Sequence, residues 1–159
     1  MNNLIAPENR ANLQELFLSL SPGTKPLWGN MQPQQMIEHL AQNVVYTNGK
    51  KITVCERSPE EALKRKQVMI YTDVAIPKNI ILETLPATCA HADIPAAVHQ
   101  LMAELADFDQ YFNEPGITSI HSGFGPMDHN EWLIWHSKHF KHHLVQFGLM
   151  EGLTVDKEP

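Results

Sequence analysis

Apolar residues recur at helical spacing through most of this 159-residue chain, and most of these runs are bracketed by a cap or a breaker. Leu13, Leu16, Phe17 and Leu20 share one face of a segment from Glu8 to Leu20, which Ser21-Pro22-Gly23 ends. Pro33 suits the first turn of a second helix whose apolar side carries Met36, Ile37, Leu40 and Val44, with Asn48-Gly49 as its stop. Ser58-Pro59-Glu60-Glu61 combines a serine cap, a proline at the first helical position and a glutamate at the third, so a third helix is expected to about Asp73. Asp93 opens a fourth, through Val98, Leu101, Met102, Leu105, Phe108 and Phe112, which Glu114-Pro115-Gly116 terminates. Asp128 followed by Glu131 repeats the cap logic for a last helix running to about Gly148.

Between the third and fourth helices, Pro77 to Ala92 reads as a long irregular crossover, in which a short strand such as Asn79–Glu83 stays open. Helices of roughly 13 to 21 residues joined by loops make an all-α fold the expectation. The arrangement implied is an antiparallel four-helix core with a short extra helix or a divided third element. The long crossover argues against a simple up-down-up-down order. One domain over residues 1–159 is expected, with a mobile polar tail from about residue 151.

Charge narrows the partners. Twelve basic residues face 18 acidic ones for a net charge of −6, a balance that disfavours binding to nucleic acid. No run approaches the length of a membrane span and the N-terminus lacks a signal-peptide pattern, so a cytoplasmic protein without membrane contact is expected. Cys55 and Cys89 form no CxxC pair, which argues against a disulfide framework and a zinc-thiolate site; either could be a nucleophile or a buried inert thiol. Six basic residues (Lys50, Lys51, Arg57, Lys64, Arg65 and Lys66) crowd one stretch, whereas no Lys or Arg lies between Lys78 and Lys138. Two readings follow: a basic helix beside an acidic one, or a basic rim that attracts an anionic substrate or thiol cofactor.

The chemistry concentrates in His136-Ser-Lys-His139-Phe-Lys-His142-His143, with His39 far upstream. At 100° per residue, Trp132, His136, His139, His143 and Phe147 fall within an arc of about 80°, on the face that should look into the bundle. His142 lies about 100° away from His143 and should look outward or into an interface. His139 and His143, one turn apart, can close on a single ion, and a third ligand must come from another helix. His39, at the flank of the second helix's apolar stripe, is the leading candidate. Three neutral imidazoles plus one open position compose a catalytic rather than a closed structural site, and zinc, nickel, iron(II), cobalt and manganese all accept them. The bland alternative is that these are satisfied core histidines. The motif holds no Glu, which rules out the HExxH metalloprotease arrangement.

Trp28-Gly-Asn-Met-Gln-Pro-Gln-Gln-Met-Ile-Glu-His39-Leu, Phe124-Gly-Pro-Met and His139-Phe-Lys-His142-His143-Leu-Val-Gln146-Phe-Gly148 together resemble the DinB/YfiT-like metalloenzyme superfamily, over about Trp28 to Gly148. The likeness is to a small branch with a C-terminal His-His-Leu-x-Gln-Phe-Gly run. The resemblance implies a four-helix bundle of up-down-down-up order, and a metal held by His39, His139 and His143. The broader superfamily follows its last histidine with Arg-Gly-Gln; here Leu-Val-Gln146 stands instead, so only Gln146 matches. Characterised members include low-molecular-weight-thiol S-transferases and a thiol-dependent maleylpyruvate isomerase.

Two functions therefore stand open. One is a metal-dependent enzyme, S-transferase-like or hydrolase-like, with zinc or nickel as the favoured ion and a low-molecular-weight thiol as a further cofactor. It would activate the thiol or water against a small-molecule electrophile. The other is a non-catalytic helical stress-response or interaction module that keeps the bundle. Under the first, His136 and Gln146 are the candidate catalytic residues, although proton acceptor, alternative ligand and core packing all remain open for His136. Glu38 is expected at the surface, Trp132 and Phe147 in the core, and His121 with Gly123-Phe124-Gly125 at one lip of the pocket. The resemblance also leaves a homodimer open, since relatives often pair through helix faces.

Overall fold

The computed structural model describes residues 3–80 and 85–152. Five α-helices occupy most of them: α1 (Arg10–Leu18), α2 (Pro33–Val45), α3 (Pro59–Tyr71), α4 (Ile94–Tyr111) and α5 (His129–Gln146). A 3-10 turn at Pro7–Asn9 takes the place of the first residues of the expected first helix. The all-α expectation needs one correction. Ser119–His121 (β1) and Gly125–Met127 (β2) pair antiparallel as a small hairpin, with Ser119 opposite Met127 and His121 opposite Gly125. The expected strand at Asn79–Glu83 falls partly on residues 81–84 and the expected mobile tail largely on 153–159, both outside the described residues.

The helix ends follow from local chemistry. Ser58 Oγ accepts from the Glu61 backbone N–H at 3.3 Å and Asp93 Oδ1 from that of Ala96 at 2.9 Å, each satisfying a donor the helix cannot. Only the serine half of the reciprocal cap expected at α3 forms. At α5 both halves form: Glu131 N donates to Asp128 Oδ1 at 2.9 Å and Asp128 N to Glu131 Oε2 at 3.0 Å. That helix closes with Gly148 at φ +71°, the Leu149 N–H reaching Leu144 O at 2.8 Å and the Gly148 N–H reaching Val145 O at 3.0 Å. Gly49 ends the turn after α2 at φ +83°, where a Cβ would lie 2.9 Å from the Tyr111 ring, so glycine alone fits.

The core lies where α2, α4, α5 and α1 face one another. Phe17, Met36, Ile37, Leu40, Leu101, Leu105, Phe108, Phe140 and Leu144 are fully buried there, and Phe17 meets Phe140 edge to face at 6.1 Å. Trp132 and Phe147 join this core, as their positions on α5 predict. α3 buries only Ala62 and Ile70 and packs against α5 and β2. Its attachment is correspondingly polar. Lys138 of α5 donates from Nζ to the carbonyls of Met69, Thr72 and Val74 at 2.7, 2.7 and 2.9 Å, capping the C-terminal end of α3.

The basic stretch pairs with acidic residues at two places, although not as a basic helix laid along the acidic α4. Lys50 bridges Glu104 and Asp107 of α4 at 2.8 and 2.6 Å, and Lys66 reaches Glu131 of α5 at 3.4 Å. Glu104 is a buried carboxylate that also accepts from Asn48 Nδ2 and Gln100 Nε2, each at 2.6 Å, so neither of its oxygens lacks a donor. Among the described residues no helix is long and apolar enough to cross a membrane.

Candidate metal centre

α2 and α5 bring His39, His139 and His143 together, and one nitrogen from each lies within 4.8 Å of the others. His39 Nε2 and His143 Nε2 each sit 3.1 Å from His139 Nε2. Tetrahedral zinc with bonds of about 2.0–2.1 Å separates its ligand nitrogens by about 3.3 Å, and adjacent octahedral positions by about 2.9 Å. The two contacts of His139 fall between these values, and the His39–His143 separation stays within 4.8 Å, so the group is close enough to share one first-row ion. Burial supplies the right protonation. It pushes His139 well below its ordinary value, helped by His143 and His39 beside it. His143 is pushed down to about 3 by burial, which its hydrogen bond to Gln146 partly opposes. Neutral imidazole is the form that donates a lone pair.

The surroundings orient the rings. Gln146 Oε1 lies 2.8 Å from His143 Nδ1, and Gln146 Nε2 donates to the Trp28 carbonyl at 3.1 Å. With Nδ1–H donating to that amide oxygen, the Nε2 lone pair of His143 points toward the other two histidines. Asn43, one turn after His39, donates from Nδ2 to the His39 carbonyl at 2.9 Å, with Nδ2 also 3.4 Å from His39 Nδ1. The Trp135 ring lies nearly parallel to that of His139, at 6.1 Å and 26°. His139 Nδ1 is buried with no hydrogen-bond partner among the described residues.

The other candidates take distinct places. His136 is fully buried outside the three-histidine group, its Nε2 3.0 Å from the Thr47 hydroxyl, with Trp132, Phe108 and Phe140 around its ring. Burial holds it down to about 3. Of the three roles open to it, packing is the one this environment favours, because so acidic a nitrogen is a weak proton acceptor at neutral pH. His142 is half-buried, edge-on to Trp28 at 5.5 Å and to His143 at 5.1 Å, and bonded to the Ile76 backbone. His121 stacks on Phe124 at 4.0 Å and meets Trp135 at 5.0 Å, so it belongs to an aromatic cluster behind His139.

Glu38 differs from the expected surface residue. It is half-buried and accepts from the backbone N–H groups of Ala90 and His91 at 2.9 and 2.8 Å. Burial raises its carboxyl, but these donors and Gln34 outweigh that and bring it below the ordinary range. Periodicity could have found Asn43, which shares a helix face with His39. Nothing local marks Thr47 as the partner of a residue 89 positions away.

Two surface cavities, of about 370 and 320 Å³, lie elsewhere, and none of the three histidines lines either. Comparison with protein-family models, curated proteins and solved structures finds no match to this chain.

Proposed function

We propose that this chain is a metal-dependent enzyme of the DinB/YfiT-like kind, its helices in up-down-down-up order. His39, His139 and His143 would hold a divalent transition metal, zinc or nickel, and the substrate would be a small electrophile attacked by a low-molecular-weight thiol or by water. The observation that carries the reading is the convergence of three imidazoles from two helices, two of them buried and one half-buried, with His139 Nε2 3.1 Å from each of the other two. An ion bound there supplies Lewis acidity, which lowers the pKa of a thiol or water enough to provide a nucleophile near neutral pH.

The chain's own residues do the rest. Burial keeps the His139 and His143 rings free of protons. Gln146 fixes the tautomer of His143 and ties the ring to the Trp28 backbone, which makes it a positioning residue. Trp135 and the neighbouring aromatic groups limit water on the side of His139.

The second reading is a helical module that binds metal without chemistry. In its favour, no Asp or Glu joins the ligand group among the described residues, so no carboxylate base is built into it. Elemental analysis of protein purified without a histidine tag tests the ligands. Wild type should carry one ion per chain and His39→Ala and His139→Ala should lose it; stoichiometric metal in both variants would reject the assignment. Gln146→Ala should keep the fold and bind metal about 10- to 100-fold more weakly. A panel of thiols and electrophiles, assayed with metal-loaded protein, separates the two readings, since metal-dependent turnover eliminates the silent module.

A further inference from the structure

The basic stretch of the sequence is only partly consumed by ion pairs. Lys50, Lys64 and Lys66 have carboxylate partners, and Lys66 Nζ also donates to the Pro126 carbonyl. Arg57 has no ion pair or side-chain hydrogen bond among the described residues, and it lies on the wall of the 320 Å³ cavity between the start of α3 and the β1–β2 hairpin. The floor and sides of that cavity are apolar. Ala62 and Leu63 come from α3 and Phe124 from the hairpin turn, with a proline from each element beside them. Leu63 is 55% exposed, an apolar side chain held in water at the mouth. The Cys55 thiol opens onto the same space and donates weakly to the Arg57 carbonyl at 3.6 Å.

From this geometry we infer a binding site for a small amphiphilic carboxylate, such as a medium-chain fatty acid or a single-ring aromatic acid. The apolar portion lies against Ala62, Leu63 and Phe124, and the carboxylate pairs with the Arg57 guanidinium. The chemistry of the walls selects this class. A guanidinium presents a planar fork of donors that a carboxylate matches, and an apolar recess near 300 Å³ is at the small end of ligand pockets. Lys66 is committed to Glu131, so Arg57 alone supplies the recognising charge. The site is separate from the three histidines but adjoins them: the Phe124 ring meets Trp135 at 5.0 Å, and Trp135 lies along His139 at 6.1 Å. The inference does not rest on the metal reading.

Octanoate is the probe, with 1-octanol as its uncharged counterpart. In a Cys89→Ser background, Cys55 is the one remaining thiol. Its reaction with an aromatic disulfide reagent is followed by release of the coloured thiolate. Octanoate should slow that reaction at least about fivefold, and octanol should need about tenfold more ligand for the same protection, the worth of one charge-assisted hydrogen bond. Arg57→Gln should erase the difference between the two ligands, and Leu63→Glu, at an exposed position, should weaken octanoate selectively. Methyl chemical shifts of Leu63 and ring shifts of Phe124 give a second readout that does not depend on thiol reactivity. No shift change at either residue on adding octanoate, or equal octanoate binding by wild type and Arg57→Gln, would overturn the proposal.

Discussion

Acid should unfold this protein in a pH range set by its buried histidines rather than by its carboxylates. His121 and His136 sit at about 4 and about 3 because burial disfavours their charged forms, against an ordinary value of 6.5 in the unfolded chain. The unfolded state therefore binds more protons as pH falls below 6.5, and the native state loses stability until its own histidines titrate. Between 6.5 and 5 each group forfeits about 1.5 units at 1.36 kcal/mol per unit, or about 2 kcal/mol. The two together cost about 4 kcal/mol, a large share of the roughly 5–15 kcal/mol by which domains are stable. Glu38 and Glu131 have carboxyls below their ordinary 4.5, so their contribution remains at pH 5 and is lost only lower. Urea unfolding with a chelator present, at pH 7 and pH 5, measures the effect without interference from metal. His136→Gln removes one titrating group. It should be less stable at pH 7, yet its loss between the two pH values should be about 2 kcal/mol smaller than that of wild type. Equal losses in the two proteins would refute the argument that buried His136 stays neutral.

Two further perturbations test the polar fastenings. Lys138→Met leaves three carbonyls at the end of α3 without their ammonium donor and should destabilise the protein by about 1–3 kcal/mol, with hydrogen exchange accelerated first in residues 69–74. Glu104→Ala strips the shared acceptor from Asn48, Gln100 and Lys50 and should cost about 2–4 kcal/mol by thermal or urea unfolding; a loss below about 0.5 kcal/mol would mean that water replaces the carboxylate freely.

The helices were legible because their signals are local. Ser58, Asp93 and Asp128 cap the helices that their side chains announce, and Gly148 ends α5 where its freedom at positive φ is needed. The meeting of His39 with His139 and His143 was legible in part, since the 3.6-residue period puts the pair on the inward face of α5 and His39 on the flank of α2's buried side. What failed to show was held by distant partners. The hairpin has only three residues per strand, too few for an alternating pattern, and is fixed by Trp132 Nε1 donating to Ser119 O at 3.2 Å and Glu56 N donating to Ser122 O at 2.9 Å. Glu38 was expected at the surface from its angle on α2 alone. Its acceptors face the returning crossover, which no helical wheel represents.

Each of the three histidines has an immediate chain neighbour that grips the connection from α3 to α4: Glu38 holds residues 90 and 91, Lys138 holds the carbonyls of Thr72 and Val74 together with that of Met69 at the end of α3, and His142 holds Ile76. Such a connection lacks the latitude loops usually have to lengthen or drift over generations. An insertion between residues 72 and 92 would tug on the backbone one position from an imidazole, and altered occupancy or geometry at the cluster would register before any loss of helix content.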